Sequence, residues 1–317
     1  MKIIFMGTPD FAANVLSALS EKNEIVLAVT QPDRESGRGK DIHFSAVKSW
    51  AIEHDVPVFQ PEKIRAAEAI AHLSSIDADI VVVAAFGQIL PREILHMKHF
   101  GAVNVHASLL PKYRGASPIQ WAIMNGDEFT GITTMQMGEG LDDGDILLQS
   151  KIRIEQNETG GSLFEKLSDL GGRLINETLE GLSKGSIKSK PQESEKATKV
   201  GLITKDMGHI DFTKSAYDIE RMIRAFDPWP TAYSRLLKKT VKLWRAKATG
   251  ELPPEAAKEA EGKDISTGEI IRHRDTLYVK TGFGYLIPEI IQLEGKKKMS
   301  VPDFLRVHDI KTGDFFA

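Results

Sequence analysis

The chain of 317 residues contains no cysteine. Disulfides, thiolate nucleophiles and thiolate metal ligands are therefore excluded. No apolar run approaches the roughly 20 residues that a membrane-spanning helix needs. Met1 to Met6 passes straight into an apolar strand without a signal-peptide pattern, so a cytoplasmic location is expected. No dense group of histidines and carboxylates stands out, and no metal is expected. A dinucleotide fingerprint is missing too. Gly7-Thr8-Pro9 follows the first strand without the three glycines of GxGxxG, so it reads as a tight turn and disfavours a nicotinamide-dependent enzyme. The net charge of −3 does not advertise nucleic-acid binding, although such a sum can hide a local basic face.

What is present suffices for two domains, with 41% hydrophobic residues to build their cores. Lys2 to Met6, Glu24 to Thr30, Val56 to Phe59, Ile80 to Ala84 and Ala102 to His106 read as strands. Helical stretches lie between them, at Asp10 to Ser20, Ser45 to His54 and Glu62 to Ser75. Pro118 to Asn125 continues as helix, Ile132 to Met137 and Ile146 to Ile154 as strands, and Gly160 to Lys184 as a long amphipathic helix. Continuous Val/Ile strands between helices predict an α/β fold with a doubly wound, mostly parallel, Rossmann-like sheet. After the helix Tyr217 to Phe226 come five short strands between Ala232 and Gln292, which predict a small OB-like β-barrel. The acidic, Ala-rich stretch Leu252 to Asp264 reads as a surface loop. The expected division is a catalytic domain at 1–189, a linker at 190–205 and a C-terminal domain at 206–317.

The run Ala102-Val-Asn-Val-His-Ala-Ser-Leu-Leu-Pro-Lys-Tyr-Arg-Gly115 carries the chemistry. Strand alternation puts Asn104 and His106 on one face, at the carboxyl end of the strand, where such sheets bind ligands. An amide N–H can hold a developing oxyanion and an imidazole can carry a proton. Gly140-Leu-Asp-Asp-Gly-Asp145 follows and can supply a carboxylate to orient or compensate the imidazole. Position alone leaves Asp142, Asp143 and Asp145 as competing candidates. These are the parts of an acyl-transfer site, although an isolated strand-end histidine is more often structural.

Two basic stretches allow a second reading. Gln31-Pro-Asp-Arg-Glu-Ser-Gly-Arg-Gly-Lys40 is a polar insertion with Arg34, Arg38 and Lys40. It reads either as a solvated loop or as a basic finger for phosphates. Between Arg235 and Lys247 stand Lys238, Lys239, Lys242 and Arg245 without an acid, with Tyr233 and Trp244 nearby and Lys296-Lys-Lys298 further on. That pattern is either an ordinary solvated face or a strip tracking a nucleic-acid backbone.

Together these residues resemble the 10-formyltetrahydrofolate-dependent formyltransferases, and within them the methionyl-tRNA formyltransferase family. The likeness runs the length of the chain. It is carried by Met6-Gly-Thr-Pro-Asp-Phe11, Gln31-Pro-Asp-Arg34, Gly37-Arg-Gly-Lys40, Phe86-Gly-Gln-Ile-Leu-Pro91 and Asn104-Val-His-Ala-Ser-Leu-Leu-Pro-Lys-Tyr-Arg-Gly115. Gly140-Leu-Asp142, Ile203-Thr-Lys-Asp206, Asp227-Pro-Trp-Pro230, Lys242-Leu-Trp-Arg245 and Gly295-Lys-Lys-Lys-Met-Ser300 extend it.

The resemblance implies transfer of a formyl group from 10-formyltetrahydrofolate to methionine on initiator Met-tRNA, by a monomer and without metal. It implies catalytic roles for Asn104, His106 and Asp142. It places the folate against Ser108, Leu109, Leu110 and Pro111, with Gly87, Gln88, Ile89 and Leu90 nearby. It assigns tRNA contacts to Arg34, Arg38, Lys40 and Lys205, and to the C-terminal domain with Lys238, Lys242 and Arg245. Asp143 stands where the family commonly has Thr, and Met207 where it commonly has an acid. Two rival readings are a formyltransferase for a small amine, such as a nucleotide sugar or glycinamide ribonucleotide, and a nucleic-acid-binding module with an inactive catalytic domain.

Overall fold

The structure, a computed structural model, describes residues 1–36 and 41–317. Two compact units form. One comprises Met1–Pro118, Phe129–Arg153 and Phe164–Gly201; the other comprises Ile119–Glu128, Ile154–Leu163 and Leu202–Ala317.

In chain order the first half runs β1 (Lys2–Gly7), α1 (Asp10–Ser20), β2 (Glu24–Val29), β3 (Arg34–Ser36), β4 (Asp41–His43), α2 (Ala46–Glu53), β5 (Val58–Phe59), α3 (Ala67–Ser75) and β6 (Ile80–Ala84). It continues with α4 (Arg92–Leu95), β7 (Ala102–His106), β8 (Arg114–Gly115), α5 (Pro118–Met124), β9 (Phe129–Gln136), β10 (Ile146–Arg153), α6 (Gly160–Ser183) and β11 (Lys199–Val200). Seven strands make one sheet in the order β10-β9-β7-β6-β1-β2-β5. The pairs from β7 to β5 are parallel, and β9 and β10 add an antiparallel edge. The expected mostly parallel sheet is therefore present. The order of strand addition reverses between β1 and β6, because β2 and β5 are added on one side of β1 and β6 and β7 on the other. Ligands in open α/β sheets bind outside the strand ends at such a switch point.

The buried strands read as continuous apolar runs because both faces are covered. On one face Ile4, Met6, Leu27, Val29, Val81 and Val83 pack with Leu73, Ile94 and Leu95. On the other, Val105 meets α6 at Gly171, where a Cβ would stand 3.2 Å from the valine methyl.

The stretch expected as a linker is, as far as Gly201, a strap on the first unit. Lys190 bridges Ile146, and β11 pairs in parallel with β8. These are backbone contacts on a solvated face, so they need no apolar side chains and leave a polar composition. Within the insertion, β3 and β4 pair as an antiparallel ladder. Arg38 and Lys40 lie outside the described residues.

The second unit holds α7 (Ala216–Ala225), β12 (Ala232–Leu236), β13 (Lys239–Thr249), α8 (Pro254–Ala260), β14 (Ile270–His273), β15 (Thr276–Lys280), β16 (Tyr285–Leu293), β17 (Met299–Ser300) and α9 (Val301–Val307). Its antiparallel sheet has the order β12-β13-β16-β15-β14, with β17 on β16; β12 and β14 are its two ends among the described residues. The stretch 252–264, expected as a loop, contains α8 instead. The helix buries Ala256 against Ile271 and Tyr278. Among the described residues no helix is long and apolar enough to cross a membrane.

Candidate active site

The carboxyl end of β7 is where polar side chains replace apolar ones. Ala102 belongs to the apolar cluster; two and four residues on, the same face presents Asn104 and His106, both more than nine-tenths buried. Buried polar groups need partners, and here the partners define the site.

His106 Nε2 lies 2.8 Å from the carbonyl oxygen of Tyr113. A carbonyl only accepts, so Nε2 carries a hydrogen. Nδ1 is then the nitrogen that can gain and lose a proton, and it lies 3.8 Å from Asp142 Oδ2. Asn104 Nδ2 stands 3.5 Å from Asp142 Oδ1, at the outer limit of a hydrogen bond, which leaves that N–H able to turn to a better-placed acceptor. Asp142 Oδ2 also accepts the backbone N–H of Gly115 at 2.7 Å.

This geometry chooses among the three acids. The Asp143 carboxylate folds over Gly138 and Gly140, where a Cβ on Gly140 would fall 2.1 Å from it. Asp145 accepts from Ser189 Oγ at 3.1 Å. Only Asp142 of the three meets Asn104 and His106. The backbone there is held off its minimum: Asp142 has φ +49, and Ala85, Tyr113 and Ser117 are also in the left-handed region. Such residues cost of order 1–3 kcal/mol each and cluster at functional sites.

The residues expected at the folate divide into two groups. Ser108 is fully buried and donates to the Lys112 carbonyl at 2.6 Å. Leu110 gives its N–H to Thr133 Oγ1 and its carbonyl to Gln149 Nε2. Those two build the corner, while Leu109 and Pro111 are half-buried and face outward more. In the turn after β6, Phe86 and Leu90 are anchored in the core, whereas Gly87 and Ile89 are exposed. Gln88 Oε1 accepts the Ile64 N–H at 2.8 Å, and the Phe86 carbonyl accepts from Thr8 Oγ1 and Gln31 Nε2. An exposed glycine backbone beside an apolar Ile89 suits a flat heteroaromatic ring with polar edges.

At the root of the insertion, Asp33 is paired with Lys48 and accepts from Gln60 Nε2 at 2.9 Å. The Lys48 ammonium and the Gln60 amide hold its carboxyl below the usual carboxylate value. Gln60 also donates to the Gln31 carbonyl at 2.9 Å.

Three further contributors were not legible in the sequence. They are the Tyr113 carbonyl, Arg114 and Gln192. Gln192 Nε2 donates to the carbonyls of Asp142 and Gly144, and its Oε1 accepts from the Arg114 guanidinium. Its position in a polar stretch carries no signal, because the contact spans 50 residues of chain.

In the second unit, Lys205 and Lys238 are exposed, the latter in the β12–β13 turn. Lys242 approaches the Trp244 ring at 5.9 Å, and Lys298 covers it at 3.1 Å. The indole N–H donates to Gln292 Oε1 at 3.0 Å. Arg245 departs from the acid-free strip: it pairs with Glu289 at 2.8 Å, and Lys247 shares the same carboxylate. The acid comes from the neighbouring strand, which a scan along β13 alone does not see. Burial opposes ionisation of Glu289, but the two cations overcome it and bring the carboxyl below its ordinary value. Among the described residues, no group of three or more metal-ligating side chains forms.

Two family models match. One described as formyl transferase covers residues 1–179, and one described as formyl transferase, C-terminal domain, covers residues 202–309. A methionyl-tRNA formyltransferase of Agathobacter rectalis is 48% identical over 320 residues, covering 100% of both chains. One of Clostridioides difficile is 42% identical over 314 residues, covering 99% of both. Among solved structures, an N-formyltransferase of Helicobacter canadensis in complex with folinic acid and dTDP-3-aminofucose shares the fold. It has a TM-score of 0.63 at 18% identity, over 91% of this chain and 98% of that one. A methionyl-tRNA formyltransferase of Clostridium thermocellum gives a TM-score of 0.53 at 19% identity, over 80% and 95%. With near-identical lengths aligned end to end and both halves matched by their own models, the chain belongs to the methionyl-tRNA formyltransferase branch of the formyl transferase family.

Proposed function

We propose that this chain transfers the formyl group of 10-formyltetrahydrofolate to the α-amino group of methionine on initiator tRNA, giving formylmethionyl-tRNA for translation initiation. The observation that carries the reading is the meeting of Asn104, His106 and Asp142 at the end of β7. The full-length relatives of that name support the choice of substrates.

The folate supplies an activated one-carbon acyl group. Gly87 to Leu90 and the Ser108–Pro111 corner hold it, chiefly through the outward parts of Gly87, Ile89, Leu109 and Pro111. The Asn104 amide N–H and a proton on His106 Nδ1 hold the acyl oxygen as negative charge develops on it. As the amine's bond to the formyl carbon forms and the carbon's bond to the folate nitrogen breaks, Asp142 compensates the imidazolium and orders the path by which the proton passes from the attacking amine to that departing nitrogen. Tyr113, by accepting from Nε2, aims Nδ1 at the reacting atoms.

In this reading residues 1–189 carry the chemistry, 190–205 connect, and 206–317 bind tRNA. Arg34, Arg38 and Lys40 meet the acceptor stem, Lys205 lies near its 3′ end, and Lys238, Lys242 and Arg245 follow the backbone. The enzyme works as a cytoplasmic monomer. The test mixes the protein with 10-formyltetrahydrofolate and initiator Met-tRNA. Formylmethionine on the tRNA is the expected product; formylation of an amino-sugar nucleotide or glycinamide ribonucleotide, with the tRNA untouched, overturns the reading.

A further inference from the structure

We infer that Gln192 is a positioning residue for formyl transfer, acting through Asp142; the inference rests on the reading of the site just given. Gln192 commits its whole amide to one place. Its Nε2 donates to the Asp142 carbonyl at 2.9 Å and to the Gly144 carbonyl at 2.7 Å. Its Oε1 accepts from Arg114 Nε at 3.0 Å and Nη2 at 2.8 Å. Arg114 is itself buried, at 8% exposure, and charge-assisted pairs of this kind have a defined geometry.

The turn so held needs holding. Asp142 sits at φ +49, a conformation an aspartate leaves readily when nothing opposes it. The Gly115 N–H fixes its carboxylate from one side, and Gln192 fixes the carbonyls of Asp142 and Gly144 from the other. Gly144 also runs so close to β9 that a Cβ would fall 1.9 Å from the Gln136 carbonyl. Releasing the two carbonyls frees the Asp142 backbone to relax and carries the carboxylate off His106 and Asn104. Gln192 rides on the strap that Lys190 and β11 fasten to the first unit. The segment that leads on to the second unit thus also sets the position of the acid.

The test is a double-mutant cycle. Gln192→Glu keeps the size and still pairs with Arg114, but it turns an oxygen toward two carbonyls. Gln192→Leu removes both functions and serves as the second variant. Each is made in the parent and in Asp142→Asn, with kcat, both KM values and the melting temperature measured. Gln192→Glu is expected to lower kcat on the order of 10²-fold, as small misplacements of catalytic groups do, with both KM values little changed. In the Asp142→Asn background the same change is expected to cost less than about twofold, because residues acting through one another are not additive. Additive losses in the two backgrounds overturn the inference. So do Gln192→Glu and Gln192→Leu enzymes that turn over like the parent while Asp142→Asn is impaired. Lowered melting with unchanged kcat overturns it as well. A fully active Asp142→Asn enzyme removes the reading of the carboxylate itself, and this inference with it.

Discussion

Replacing Asn104 by alanine removes one N–H from the end of β7 and leaves the hydrogen bonds of His106 and Asp142 to Tyr113 and Gly115 in place. Loss of one oxyanion donor typically costs ~10²–10³ in rate. Steady-state kinetics of Asn104→Ala are therefore expected to show a kcat lower by that factor and KM values close to those of the parent. Turnover at the parent rate would refute the role. At this scale much was legible. Alternation along a short strand placed Asn104 and His106 on one face, because the period of two is a property of extended backbone. The choice of Asp142 over Asp143 and Asp145 was implied by the family resemblance alone and was not legible in their spacing. It follows from a left-handed φ and from the N–H of Gly115, neither of which the spacing of three nearby acids encodes.

Elements add a second kind of prediction. Gly115 has φ +105, and a Cβ there would lie 2.4 Å from the Val200 carbonyl. Gly115→Ala is expected to push β11 off β8, destabilise the protein by about 1–3 kcal/mol, and lower kcat as Asp142 loses its backbone partner. Denaturant unfolding and kinetics on one sample check both effects. On β13, Arg245 is tied to Glu289 while Lys242 faces Trp244. Lys242→Ala is expected to raise the tRNA KM more than Arg245→Ala does. The apolar strands were readable because a buried run needs no partner to be recognised. The helix α8 was hidden in an acidic, Ala-rich stretch, since a short helix that buries little beyond Ala256 shows almost no apolar period. The polar stretch after Lys190 reads as a linker over the body of the first domain, and it does lie there as far as Gly201; its individual fastenings were hidden, because polar residues make hydrogen bonds as readily in a free linker.

At the scale of the molecule, charge decides the solution behaviour. The chain is net −3, yet it places Lys238, Lys242 and Lys298 on one antiparallel domain. The tRNA KM is expected to rise steeply with salt between about 50 and 200 mM, with a much shallower rise for folate. A flat tRNA response would count against phosphate contacts. Acid stability carries a second signature. The folded Asp33 carboxyl lies below its unfolded value, so its contribution is complete above about pH 4 and is lost as pH falls through the folded value. Asp33→Asn is expected to melt lower than the parent at pH 7, with the difference shrinking as the pH is taken down below about 4. The two-part architecture was readable from the change in element type along the chain, whereas the extent of each part depended on contacts distant in sequence. Trp244 finally offers a use of its own. With an ammonium resting on its face, the indole is a built-in optical gauge: a polyanion that lifts Lys298 away is expected to change its emission against the steady background of the chain's three other tryptophans, which would time the docking of nucleic acid without an attached dye.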